Sequence, residues 1–153
     1  MAVDLESWFA DRIPDGWFTG PCRLQADRDE ILVAGPIAPD ADPDEFREAT
    51  RDDRVGIARA AEATFGRKVS WAVRSADTEI RFTTATVPVM TRLRIDERRV
   101  LDTLIAGGVA RSRSEALAWC VRLVGEHERD WIAEMQEAAN RIAEVRRKGP
   151  DPA

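Results

Sequence analysis

Arginine alternates with apolar residues in the stretch PVMTRLRIDERRV, residues 88–100. In an extended chain successive side chains point to opposite faces. Val89, Thr91, Leu93 and Ile95 therefore share one side, and Met90, Arg92 and Arg94 share the other. A second group, Arg111, Ser112, Arg113 and Ser114, stands where the spacing predicts a helix to begin. A guanidinium is a planar fork of donors that fits phosphate oxygens or the O6 and N7 edge of guanine. A helix N-terminus adds unpaired N–H groups and partial positive charge. Both groups suit the binding of a polyanion.

Charge is distributed unevenly enough to give those arginines a context. The 153 residues carry 23 basic and 28 acidic side chains, net −5, which argues against a protein coated in nucleic acid over its whole surface. Residues 1–85 are net −6, residues 86–125 net +3 and residues 126–153 net −2. All seven basic residues of the middle segment are arginine: Arg92, Arg94, Arg98, Arg99, Arg111, Arg113 and Arg122.

The elements that must position them follow from periodicity. Residues 89–95 read as a half-buried strand, with Asp96 as the N-cap of a helix whose stripe is Val100, Leu101, Leu104 and Ile105. Gly107-Gly108 ends it, and RSRSEALAWCVRLV begins another, with Ser112 and Glu115 in capping-box spacing and Leu117, Val121 and Val124 buried. A lone strand leaves amides and carbonyls unpaired and one apolar face uncovered. Antiparallel pairing of two chains solves both problems: the inward Leu93 and Ile95, with Leu101, Leu104, Leu117 and Val121, form a dimer core. The outward Met90, Arg92 and Arg94 then line a two-stranded ribbon of a size that enters the major groove of B-DNA.

The segment MTRLRIDERRVLDTLIAGGVARSRSEALAWCVRLV resembles the ribbon-helix-helix family, the CopG, Arc and MetJ type of DNA-binding dimer. The most specific part is RSRSEAL after a glycine-terminated helix. The resemblance implies base contacts from Met90, Arg92 and Arg94, and phosphate contacts from Arg111, Ser112, Arg113 and Ser114. It also implies double-stranded DNA as partner, a homodimer or dimer of dimers, and a transcriptional repressor that works by obstruction.

Upstream, Leu5, Trp8 and Phe9 have helical spacing over residues 4–12, and CRLQADRDEILVAGPI reads as a hairpin around Asp27 to Glu30. Asp42-Pro43-Asp44-Glu45 announces a helix that runs to Gly66, with a break near Asp52 to Gly56. VSWAVRSADTEIRFTT gives a second hairpin. The fold class expected is α+β: an N-terminal β-β-α-β-β domain at 1–86, a ribbon-helix-helix domain at 87–125, and a C-terminal amphipathic helix with a short tail at 126–153. The first domain would sense a small molecule, bind a protein effector or set the spacing between dimers. The last helix carries Trp131, Met135, Ala138, Ile142 and Val145 on one stripe, to be covered by the first domain or by another subunit.

Plainer readings stand beside these. Arg92 and Arg94 could be the solvated face of a strand continuing the upstream sheet, and Ser112 with Glu115 is first of all a helix cap. Trp8, Trp17, Trp71, Trp119 and Trp131 read as core in preference to an aromatic ligand pocket. His127 has no neighbours in metal-ligand spacing and reads as exposed, and Cys22 and Cys120 as buried thiols, so no metal or other cofactor is expected. Neither a nucleophile–base pair nor a glycine-rich phosphate loop is present, which excludes the common catalytic patterns and predicts a protein that is not an enzyme. No apolar run spans a membrane and the first residues lack a signal-peptide pattern, so the expectation is a cytoplasmic protein. An antitoxin-like interaction module with autoregulatory DNA binding is the alternative, and a structural oligomer that never touches DNA a third.

Overall fold

In the computed structural model, residues 4–150 are described, and 151–153 of the expected tail lie outside the described residues. The chain divides into two compact units, Met1–Val89 and Met90–Ala153. Mixed α and β structure is observed: one four-stranded sheet and six helices among the described residues. None of these helices is long and apolar enough to cross a membrane.

The first unit is built on a sheet of order β1-β2-β3-β4, with β1 (Arg23–Ala26), β2 (Glu30–Pro36), β3 (Lys68–Ser75) and β4 (Thr78–Arg81). Both expected hairpins form: β1 pairs antiparallel with β2, and β3 with β4. Asp27 closes the first by accepting the N–H groups of Asp29 and Glu30 at 2.8 and 2.7 Å. The central strands β2 and β3 run parallel, a pairing that requires a long crossover connection. That crossover is α2 (Pro43–Ala49) followed by α3 (Arg51–Phe65). Asp42 caps α2 through the N–H of Asp44, at 2.8 Å.

The break between these helices falls at Thr50, ahead of the expected Asp52 to Gly56. Arg54 explains the position. Its guanidinium is buried, with Nε donating to Thr50 Oγ1 at 3.0 Å and Nη2 to the Arg47 carbonyl at 2.7 Å, and it lies 5.0 Å from the Phe82 ring centroid. A cation at the C-terminus of α2 meets the negative end of the helix dipole. No carboxylate is needed to hold it.

One sheet face carries Ile31, Val33, Trp71 and Val73 and packs against Trp8 and Phe9 of α1 (Leu5–Ala10), Ala61 of α3 and Phe82. Aromatic rings meet edge to face there, Trp8 with Phe9 at 4.9 Å and Trp17 with Trp71 at 6.2 Å between centroids. Gly35 on β2 exists for one of them: a Cβ on it would lie 2.3 Å from the Phe18 ring. On the other face β2 and β3 bury Leu32, Ala34, Ser70 and Ala72 between Glu30 and Lys68 at one end and Pro36 and Arg74 at the other, and an ion pair from Arg23 on β1 to Glu79 on β4 joins the two sheet edges.

The second unit is helical: α4 (Ile95–Ala106), α5 (Arg113–His127) and α6 (Arg129–Lys148). Leu101, Ala110 and Ala116 form its buried centre, with Leu93, Leu104, Ile105, Leu117 and Cys120 packed on it. The turn between α4 and α5 is a Schellman motif. Val109 N–H donates to Leu104 O at 2.9 Å and Gly108 N–H to Ile105 O at 3.1 Å, while Gly108 takes φ 78°. Of the tryptophans expected as core, Trp8 and Trp71 are buried and Trp17 and Trp119 half-buried. Trp131 is the exception at 59% exposed, because α4 and α5 of its own unit leave its stripe of α6 uncovered.

Candidate nucleic-acid interface

Residues 87–94 form no strand ladder within the single chain. Arg94 is extended (φ −81°, ψ 172°), and Leu93 turns inward onto the Leu101 cluster while Met90, Arg92 and Arg94 are exposed, Met90 to 94%. The cap of α4 differs from expectation. Arg94, not Asp96, holds the N-cap position, because Glu97 reaches back to accept the Arg94 N–H at 2.6 Å and starts the helix at Ile95. Asp96 falls in the first turn, where its charge still suits the dipole. Arg98 Nη1 donates to the Leu93 carbonyl at 2.6 Å and ties the extended segment to α4.

At the head of α5, Ser112 Oγ accepts the Glu115 N–H at 3.1 Å, and the Glu115 carboxylate accepts the N–H of Arg111 at 2.8 Å instead of that of Ser112. Helical geometry leaves the amides of Arg113 and Ser114 without an intrahelical carbonyl. The side chain of Arg113 is committed elsewhere: Nε and Nη2 each donate to Asp102 of α4 at 2.8 Å, a bidentate fork across the turn. That fork holds the Asp102 carboxyl below its ordinary range and raises the Arg113 guanidinium, both side chains lying at the surface. Arg92, Arg94 and Arg111 make no ion pair among the described residues.

The expected dimer-core residues divide into two sets. Leu101 is buried and Leu93, Leu104 and Leu117 are half-buried in the single chain. Ile95 and Val121 are exposed, at 66% and 65%, and Val100 and Val124 join them on the outer surface of the helix pair.

Residues 3–81 match the family model described as Rv1265-like protein, N-terminal domain, and residues 94–146 the one described as Mb1296 C-terminal domain. The uncharacterized protein Mb1296 of Mycobacterium bovis is 46% identical over 162 residues, spanning 98% of this chain and 72% of that protein. The uncharacterized protein Rv1265 of Mycobacterium tuberculosis matches at the same identity and coverage. The chain belongs to the Rv1265-like family. No solved structure matches it.

The two family matches leave residues 82–93 between them, so Met90, Arg92 and Leu93 lie outside both, and Arg94 opens the second. Two residues with no individual role assigned from sequence shape this surface. Arg98 holds the end of the extended segment, and Asp102 occupies the Arg113 fork. Asp102 and Arg113 are eleven residues apart and meet only once the Gly108 turn has folded α5 back, so neither periodicity nor motif spacing signals the pair. In the first unit, an open cavity of about 670 Å³ is lined by Phe9, Ile13, Phe18, Cys22 and Leu24, together with Glu6 and Asp15. Burial pushes the Cys22 thiol up, which keeps it protonated.

Proposed function

We propose that the chain is a sequence-specific DNA-binding transcriptional repressor, in which residues 87–125 of two copies pair as a ribbon-helix-helix domain. One observation carries the reading. An extended segment without a strand neighbour lies beside a helix pair whose Ile95, Val100 and Val121 stand exposed, and the side chains on the other face of that segment are Arg92 and Arg94. Exposed apolar residues grouped beside an unpaired strand mark an association surface. A second copy pairs the backbone of residues 89–94, covers Ile95, Val100 and Val121, and brings four guanidinium groups onto one ribbon. Each bidentate contact to guanine is worth about 1–3 kcal/mol of discrimination.

The head of α5 supplies the phosphate clamp. The Arg113 and Ser114 amides and the Arg111 side chain take part, while the Arg113 guanidinium orients α5 through Asp102. The first unit senses an effector or sets dimer spacing, and its open cavity is the place for a small molecule.

Selection of bound fragments from random DNA by the purified protein should recover a motif with a fixed half-site spacing. Arg92→Ala with Arg94→Ala should bring binding to that motif down to the level of unrelated DNA, with the association state unchanged. Retained preference for the motif in a competition titration rejects the ribbon.

A further inference from the structure

The apolar stripe of α6 runs in heptad spacing. Trp131, Met135, Ala138, Ile142 and Val145 follow one another at spacings of four, three, four and three, the a/d seam of a heptad repeat. The seam is uncovered along its length. Trp131 is 59% and Val145 69% exposed, Met135 and Ile142 are exposed as well, and only Ala138 is half-buried. A seam of period 3.5 fits a second helix laid almost parallel to the first, and the flanking charges say which helix and which way round.

With Met135 and Ile142 at position a, the g positions are Glu134 and Arg141, and the e positions are Ile132, Ala139 and Arg146. Two copies of α6 in parallel would set g against e, so that Arg141 faces Arg146 of the other copy and Glu134 faces Ala139. Two antiparallel copies set a against d, g against g and e against e. The register that aligns most of the seam puts Trp131 against Ile142 and the large Met135 against the small Ala138. In that register Glu134 of each helix faces Arg141 of the other, and Ile132 faces Ala139. Both flanks are then matched, one by charge and one by apolar contact, and the helix dipoles oppose. Within its own helix Arg141 Nη1 lies 3.7 Å from Glu137 Oε1, a solvent-exposed contact that leaves its other nitrogens free.

We infer that α6 is a self-association element, pairing antiparallel with α6 of a second copy of this chain through the 131–145 seam. It uses residues outside the ribbon and stands whether or not the ribbon reading holds.

Sedimentation equilibrium on the full chain tests it. Ile142→Asp should remove one concentration-dependent association step while helix content by circular dichroism persists. An unchanged mass would mean that the seam is covered by the chain's own first unit or by nothing, and overturns the inference. Direction is read by charge. Arg141→Glu and Glu134→Arg should each raise the concentration of half-association by about tenfold or more, since like charges then face each other twice. The double reversal should restore it. In that double variant Glu137 still opposes the new glutamate within the helix, so restoration reports the contact between copies. Association that Arg141→Glu leaves alone or tightens, the parallel outcome, refutes antiparallel pairing. Arg92→Ala with Arg94→Ala should not alter the step, which separates this test from that of DNA recognition.

Discussion

Gly35 shows how much a single missing carbon can matter. The Phe18 ring occupies the space its Cβ would take, so Gly35→Ala must displace a ring that also packs on Phe46 and Trp17. Overpacking of this kind costs about 1–3 kcal/mol, and the unfolding midpoint in urea should fall with the slope unchanged. Asp102 gives the opposite kind of residue, exposed and electrostatic. Its carboxyl is depressed in the folded state, so the Arg113 fork stabilises above the ordinary aspartate value of 3.8 and is lost as pH falls through the lower folded value. The difference in melting temperature between the wild type and Asp102→Asn should be small at pH 6, because the pair is solvated, and smaller still in acid below pH 3.8. Equal differences at both pH values would exclude the fork as its source. Neither residue announced itself in the sequence. Gly35 sat inside an apolar run, and Asp102 found its partner only through tertiary folding. What could be read at this scale was alternation, which put Leu93 on the apolar side and Arg92 and Arg94 on the other.

Most helix and strand boundaries that a local hydrogen bond fixes were legible. Asp42, Ser112, Gly66 and the Asp27 turn all act as the local chemistry predicts. Boundaries set by longer reach were not. The α2–α3 break is fixed by Arg54 bonding to Arg47, seven residues away. The start of α4 is local but turned on which amide Glu97 accepts, that of Arg94, which displaces the cap expected at Asp96. The sheet order was also beyond a local reading, since the pairing of β2 with β3 depends on where the crossover helices pack. At this scale Gly108 is the hinge of the second unit. Its φ of 78° disfavours any side chain, so Gly108→Ala should cost about 1 kcal/mol or more and loosen α5 on α4. Amide hydrogen exchange would show that loss as faster exchange in both helices, and unchanged protection there would show the turn to be dispensable.

Across the whole molecule, net negative charge coexists with a segment of residues 86–125 that is net +3. Under the proposed function, binding of DNA by that segment would release counterions, so the logarithm of affinity should fall linearly with the logarithm of salt, by about 0.9 for each phosphate engaged. In the proposed dimer Arg111→Ala would remove two such contacts and should reduce the slope by about 2, equally on every sequence. A slope that does not move places Arg111 away from the backbone. Arg54, meanwhile, is anchored by a hydroxyl and a peptide oxygen, and neither group changes its ionisation state in ordinary buffers. The bend it pins is consequently blind to acidity. Detaching it takes heat or a chaotrope that competes for the carbonyl, whereas acid alone undoes the carboxylate link between α4 and α5.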